Sequence, residues 1–271
     1  MIYTPNEMDS LPDDIIREIQ YYLPNESYRN LNLTAKHFNI PPTEAERLYR
    51  RYHTKYLESL AKEGDLIGVK YLFERGYDSY GEYDAEAYQD ALSMACRESQ
   101  LSVISYLVEH GVSVNGINIE YTHEWPLSCA AKSGYLEVIK YLIKRGATIN
   151  TLDQYDHEEA IGLISACVYG QIDVVKYLIE QGANANAYYA LSVACGCGGS
   201  YEIVKYLVEH GANIHANHEK PMISACENKR LKIIKYLITQ GVDINYLADH
   251  RYLENWIVKY LVKNGIVERR W

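Results

Sequence analysis

Apolar residues recur at helical spacing along most of the chain, and the helical pattern itself repeats. In the segment VVKYLIEQ at 174–181 the apolar side chains occupy one face, while Lys176, Glu180 and Gln181 occupy the other. That distribution predicts an amphipathic helix with one face in a core. A Tyr-Leu pair, with a glycine five positions after the tyrosine, occurs at Tyr71, Tyr106, Tyr141, Tyr177, Tyr206, Tyr236 and Tyr260. Such a period indicates one supersecondary unit repeated along the chain.

The half of each unit upstream of the tyrosine repeats as well. A small residue precedes the tyrosine by ten positions at Ala61, Cys96, Ala131, Cys167 and Cys226. At Cys195 the distance is eleven, which places one inserted residue around Gly198-Gly199. Each unit is therefore predicted to contain an inner helix such as LSMACRES, a short turn and an outer helix. The closing glycine is expected in the left-handed conformation, where a Cβ would be penalised.

These units resemble ankyrin repeats. The segments LSCAAKSGYLEVIKYLIKRGATIN at 127–150 and GANIHA at 211–216 follow the helix–turn–helix–loop plan of that family, and the resemblance covers about residues 55–265. It implies an all-α ankyrin-repeat solenoid of about six helix–turn–helix units plus a C-terminal capping helix, within residues 56–265. The units are predicted to end near Gly76, Gly111, Gly146, Gly182, Gly211, Gly241 and Gly265.

The sequence departs from the family where each unit begins. The usual Thr-Pro-Leu-His opening is absent, and its nearest approaches are Trp125-Pro126-Leu127 and Lys220-Pro221-Met222. The Thr/His hydrogen bonds that tie the loops of the family are therefore not assured in this chain.

Unit length also varies along the chain. Successive glycines from Gly76 to Gly265 are 35, 35, 36, 29, 30 and 24 residues apart, so the first three intervals carry extended loops. The last interval is too short for a full inner helix, which predicts a closing helix at 252–264. Trp256, with Arg269, Arg270 and Trp271, is expected to shield the last core layer. Residues 266–271 are expected to form a tail.

The first 55 residues do not follow the repeat. After a tail at 1–8, residues 9–55 predict three short helices and resemble an F-box, the module that docks on the Skp-type adaptor of SCF ubiquitin ligases. The resemblance implies that the adaptor contacts are Leu11, Pro12, Ile15, Ile19, Leu23, Leu33 and Phe38. The family often has tryptophan near the last of these positions. The alternative is that residues 9–55 only cap the first repeat.

Composition excludes several classes of function. A net charge of −9 and a pI near 5.5 argue against a nucleic-acid partner, which needs a basic face. The acidic first residues do not read as a signal peptide, and no apolar stretch is long enough for a membrane helix. We expect a cytoplasmic or nuclear protein that is monomeric alone and does not act at a membrane. Its cysteines are expected to be reduced core thiols.

No catalytic motif is present, so we do not expect an enzyme. Cys195-Gly-Cys197-Gly-Gly has no second cysteine pair at zinc spacing, and we expect no metal site and no cofactor. His210, His215 and His218 are expected to be solvated.

Aromatic residues and histidines in the extended loops are candidates for target binding, because exposed tyrosine and tryptophan are favoured anchors at protein interfaces. They are Tyr80, Tyr83, Tyr121, His123, Trp125, Tyr155 and His157. The alternative is that several pack against neighbouring loops. Acidic residues nearby, such as Asp84 and Glu120, suggest a basic partner surface.

Together these features predict a protein-binding adaptor without catalytic activity of its own. Residues 9–55 would recruit the ligase, and the repeats would hold a target of unknown identity. The alternative is an ankyrin scaffold or decoy that binds a host protein and has no ligase link. The combination of an F-box-like segment with tyrosine-rich repeats resembles ankyrin proteins of giant DNA viruses of amoebae, which would place the protein in a host cell.

Overall fold

The computed structural model describes residues 56–74, 85–116, 125–152, 158–187, 189–196, 198–244, 247 and 255–266. The predicted N-terminal tail, the F-box-like segment at 9–55 and residues 267–271 of the predicted C-terminal tail lie outside the described residues, so these boundaries stay predictions. The described residues fall into two compact units, which divide between Ala91 and Leu92.

The first unit contains one helix pair and the start of a third helix. Helix α1 spans Leu57–Glu63 and α2 spans Leu66–Glu74, and α3, Ala85–Arg97, continues across the division into the second unit. Leu60 and Val69 are fully buried, and the rings of Phe73 and Tyr88 lie 4.6 Å apart. This unit therefore has an apolar core of its own.

The second unit contains helix pairs, as the sequence predicts, and the closing helix. They are α4 Leu101–Glu109, α5 Pro126–Ser133, α6 Leu136–Lys144, α7 Ile161–Tyr169, α8 Ile172–Glu180, α9 Ala190–Gly196, α10 Tyr201–Glu209, α11 Ala216–Glu227, α12 Leu231–Thr239 and α13 Asn255–Lys263. The repeated helix–turn–helix fold is confirmed. One feature was not expected: Thr151–Leu152 (β1) pairs antiparallel with Glu158–Glu159 (β2) at the base of an extended loop.

The predicted helix ends are confirmed at the described glycines. Gly182 follows α8 with a φ of 93°, its N–H donates to the carbonyl of Ile179, and the next N–H, of Ala183, donates to Leu178 at 2.9 Å. This is the Schellman arrangement, which satisfies the last carbonyls of a helix. Positive φ values recur at Gly111, Gly146, Gly211, Gly241 and Gly265.

Gly198 and Gly199, at the site of the one-residue insertion, allow an unusually close backbone approach. A Cβ built on Gly198 would lie 1.8 Å from the carbonyl oxygen of Val168 in α7, and one on Gly199 would lie 2.0 Å from the carbonyl oxygen of Ala194. The turn between α9 and α10 therefore fits against α7 of the preceding repeat and against α9 itself only without side chains at these positions.

Small residues of the inner helices form the centre of the core. The described cysteines, Cys96, Cys129, Cys167, Cys195 and Cys226, are free thiols with no exposed surface, as predicted. Burial disfavours the thiolate and raises the pKa of Cys167 to about 12. Two serines on the same helices are buried as a pair, since the hydroxyls of Ser128 and Ser165 lie 2.7 Å apart.

The closing helix forms, but its tryptophan does not have the predicted role. Helix α13 buries Ile257 and Leu261, whose exposed fractions are 1% and 0%. Trp256 is 41% exposed, and the ammonium of Lys229 lies 5.2 Å from the centre of its ring. The prediction that Trp256 shields the last core layer is therefore wrong, because the helix turns Ile257 inward instead. Arg269, Arg270 and Trp271 lie outside the described residues.

Within the described ranges, no helix is both long and apolar enough to cross a bilayer. In the same part of the chain, no cluster of three His, Cys, Asp or Glu side chains could hold a metal ion.

Candidate protein-binding surface

Most residues that the sequence nominated for binding lie outside the described residues. These are Leu11, Pro12, Ile15, Ile19, Leu23, Leu33 and Phe38 for the ligase adaptor, and Tyr80, Tyr83, Tyr121, His123, Tyr155 and His157 for the target. Trp125 is described. It is half-buried and stands at the N-cap of α5, where its carbonyl accepts the N–H of Cys129 at 2.9 Å. Trp125 therefore begins an inner helix, and its half-exposed ring stays a candidate for target contact.

Two repeat tyrosines of the outer helices, Tyr106 and Tyr206, pack against their own helix ends. Tyr106 is 8% exposed, and its ring centre lies 4.0 Å from that of His110. Tyr206 stacks on His210 at the same distance, and each histidine Nδ1 lies 2.8 Å from the carbonyl oxygen of its tyrosine. His210 is exposed as predicted, but it caps a helix end and is not simply solvated.

Asparagines tie the loops of neighbouring repeats together. Asn115, Asn150 and Asn186, which we call the asparagine ladder, each stand four positions after a closing glycine. Asn150 accepts the N–H of Asn184 at 3.0 Å through Oδ1 and donates to the carbonyl of Gly182 at 2.8 Å through Nδ2. Asn115 makes the equivalent pair of bonds to the next loop, with Thr148 at 2.7 Å and Gly146 at 3.2 Å. The carboxamide therefore clamps two backbone groups of the following repeat.

A second set of side chains shapes each loop from within. Ser113 and Asn184 accept the N–H two residues ahead, at 3.2 Å and 2.8 Å, and Asn213 accepts the N–H of His215 at 2.9 Å. Such local bonds are typical of Asx and Ser/Thr turns. The ladder thus supplies the loop ties that the missing Thr-Pro-Leu-His opening left open. Its signal was visible in the sequence as an asparagine at a constant distance from the glycine.

The ladder changes character at Asn186, in the fourth loop. Oδ1 of Asn186 accepts the N–H of Asn213 at 3.0 Å, but its amino group has no hydrogen-bond partner among the residues that the structure describes. At the next position His215 replaces asparagine, and its Nδ1 lies 2.6 Å from Oε1 of Glu219. From Asn186 onward the pair of bonds seen at Asn115 and Asn150 is therefore incomplete.

Backbone strain is concentrated beside this change. Asn217, His218 and Glu219 have φ values of 50°, 58° and 64°, so the regular part of α11 begins only after them, and Tyr189 has a φ of 69°. Left-handed geometry costs a residue with a Cβ about 1–2 kcal/mol. Strain of this kind persists where surrounding structure over-determines it, and it clusters at binding sites.

A pocket of about 220 Å³ lies between these loops and helix α9, and we call it the amide pocket. Its floor is apolar and small, formed by buried side chains that include Ala185, Ala187 and Leu191. Its rim carries exposed side chains of Asn186, Tyr189, Asn213 and Asn217. The side chains that line it carry no formal charge. Sequence reasoning missed this site, because it looked for anchors in the long loops and not in the short ones.

Comparisons with known proteins agree with this architecture. The family model described as ankyrin repeats (3 copies) matches residues 57–153 and 163–248. The human ASB11 ankyrin repeat domain is similar in structure, with a TM-score of 0.57 and 23% sequence identity over 70% of this chain and 85% of that chain. A comparison with curated proteins found no match. Since the family model covers well over half of the sequence, the chain belongs to the ankyrin-repeat family, whose repeats form protein–protein interaction domains.

Proposed function

We propose that this protein is a non-catalytic substrate receptor, which holds a target on its repeats and brings it to an SCF-type ubiquitin ligase through residues 9–55. The target side of the proposal is supported by the amide pocket, whose exposed tyrosine and amides stand over a small apolar floor. Rigid aromatic groups beside adaptable amides are typical of protein-binding surfaces. The Leu11-Pro12 segment ahead of the repeats supports the ligase side.

The mechanism of such a receptor is proximity. Holding a target and a conjugating enzyme in one assembly raises their effective concentration without new chemistry in the receptor. Repeats that are clamped by the asparagine ladder suit this task, because a rigid platform presents its target in a reproducible pose. We place this activity in the cytoplasm or nucleus, those of a host cell if the protein is viral.

Co-purification with a Skp-type adaptor tests the ligase side. Full-length protein carrying Leu11→Ala and Pro12→Ala should lose most adaptor binding, because truncating a central apolar anchor costs on the order of 2–4 kcal/mol. Asn186→Asp, far along the sequence from residues 9–55, is the matched control and should bind the adaptor as wild type does.

The two sides of the proposal have separate outcomes. Adaptor binding that the Leu11/Pro12 variant retains would refute the F-box assignment. A folded wild type that binds a target but no adaptor would instead identify a scaffold or decoy, with residues 9–55 serving as a cap.

A further inference from the structure

The amide pocket offers hydrogen-bond donors that lack a partner among the described residues. The Oδ1 atoms of Asn186 and Asn213 already accept the N–H groups of Asn213 and His215. Each carboxamide keeps an amino group for which the described part of the chain provides no acceptor. At Asn115 and Asn150 the same amino group donates to a loop carbonyl of the next repeat. The contact between repeats therefore accounts for the asparagine at those two positions, but it does not account for the amino group of Asn186. A ligand that fits must therefore bring acceptor oxygens.

The pocket also disfavours a charged occupant. The described residues that line it are neutral. A charged side chain on the floor would therefore lose its hydration without gaining a counter-charge from the lining residues. The carbonyl oxygens of a peptide main chain are neutral acceptors, and an extended chain exposes them at regular intervals.

The strained backbone around the pocket supports a binding role. Tyr189 and Asn217 line the pocket and both have left-handed φ values, of 69° and 50°. Glycine would adopt these angles at little cost, yet the chain has a large aromatic side chain at one position and an amide at the other. Their side chains form the rim, which gives a reason for keeping them despite the strain.

We propose that the amide pocket binds an extended segment of the target protein. Main-chain carbonyls of that segment accept hydrogen bonds from the amino groups of Asn186 and Asn213, and one uncharged side chain rests on the alanine floor. Tyr189 packs against the segment from the rim. This inference rests on the proposed protein-binding function and names the chemistry of the partner.

The test uses the full-length protein and a phage-displayed library of random dodecapeptides, followed by fluorescence anisotropy with a labelled synthetic copy of an enriched peptide. Asn186→Asp keeps the oxygen that accepts the N–H of Asn213 but replaces the donating amino group with an acceptor. We expect it to weaken the peptide by at least about tenfold while the melting temperature stays at the wild-type value. Enriched peptides should share an uncharged central residue.

Asn150→Asp is the matched control. The same substitution there removes the donor that bonds the carbonyl of Gly182, so it should lower the melting temperature and leave peptide affinity within about twofold of wild type. Tyr189→Gly gives a second readout, since it relieves the left-handed φ and removes the rim aromatic. It should bind the peptide more weakly than wild type.

The outcomes separate this inference from the proposed function. If enriched peptides bind Asn186→Asp and Tyr189→Gly as tightly as wild type, the pocket is not the site, although a protein-binding function stands. Enrichment of peptides with a charged central residue would also overturn the inference. If a folded wild type enriches no peptide, the extended-segment inference fails, and adaptor co-purification still decides the ligase role independently.

Discussion

The asparagine ladder makes a quantitative prediction about coupling between repeats. Asn150→Ala removes two hydrogen bonds between the third and fourth loops, one from Asn184 at 3.0 Å and one to Gly182 at 2.8 Å. A hydrogen bond contributes about 0.5–1.5 kcal/mol net, so the pair is worth about 1–3 kcal/mol. Because Gly182 is exposed and Asn184 only half-buried, water can replace part of the loss. We therefore expect a loss of about 1–2 kcal/mol.

Asn186→Ala provides the internal comparison, since only its bond from Asn213 is lost, at 3.0 Å. It should cost about 0.5–1 kcal/mol, roughly half as much as Asn150→Ala. Urea unfolding of both variants, followed by circular dichroism and by tyrosine fluorescence, measures the two free energies. Coincidence of the two signals is checked first, because repeat arrays can lose cooperativity. An Asn186→Ala loss equal to or larger than the Asn150→Ala loss would refute the clamp.

Three further predictions concern packing and titration. Gly198→Ala should lower the free energy of unfolding, measured in urea, by more than about 3 kcal/mol, because its Cβ would meet a backbone carbonyl at 1.8 Å. Gly111→Ala is the control: its Cβ would have open space and only its φ of 95° is unfavourable, so it should cost about 1–2 kcal/mol. Trp256→Ala should lower the free energy of unfolding by less than about 1 kcal/mol, and Ile257→Ala should lower it by about 2–4 kcal/mol. A lower melting temperature for Trp256→Ala than for Ile257→Ala would restore the capping role of Trp256. Burial raises the pKa of Cys167 from 9.0 to about 12, so between these values only the thiol of the unfolded chain ionises. The free energy of unfolding should therefore fall as the pH rises from about 9 to about 12. In Cys167→Ala this fall should be smaller, and a pH profile equal to that of wild type would contradict the argument.

Local chemistry accounts for the parts of the fold that the sequence predicted correctly. Helical periodicity located the helix pairs, and the constant tyrosine-to-glycine distance located each left-handed helix end, such as Gly182. Both depend on interactions within a few residues, as the bonds from Gly182 and Ala183 back to the same helix show. The buried thiols were predictable for a related reason, since Cys167 and Cys195 share the helical phase of small residues in other repeats.

The candidate site was much less accessible to sequence reasoning. The ladder joins residues such as Asn150 and Asn184, which are 34 positions apart. The sequence does not show which residue each asparagine binds, because that depends on how the loops of neighbouring repeats are placed. A regular asparagine after the glycine was a usable signal, but it indicated a repeat feature and not a binding site. The amide pocket lies beside Asn186, whose amino group lacks, among the described residues, the loop carbonyl that the amino groups of Asn115 and Asn150 bind.

By itself, the sequence determined that this chain is built from repeated helix pairs, where most helices end and which small residues occupy the core, because these depend on periodicity and on backbone preferences within one unit. Tertiary structure alone decided which loop groups find partners, since hydrogen bonds between repeats join distant positions. It also decided that Ile257 and not Trp256 faces the core. The two apolar residues are neighbours on the closing helix, and the contact of that helix with the preceding repeat selects which of them packs inward.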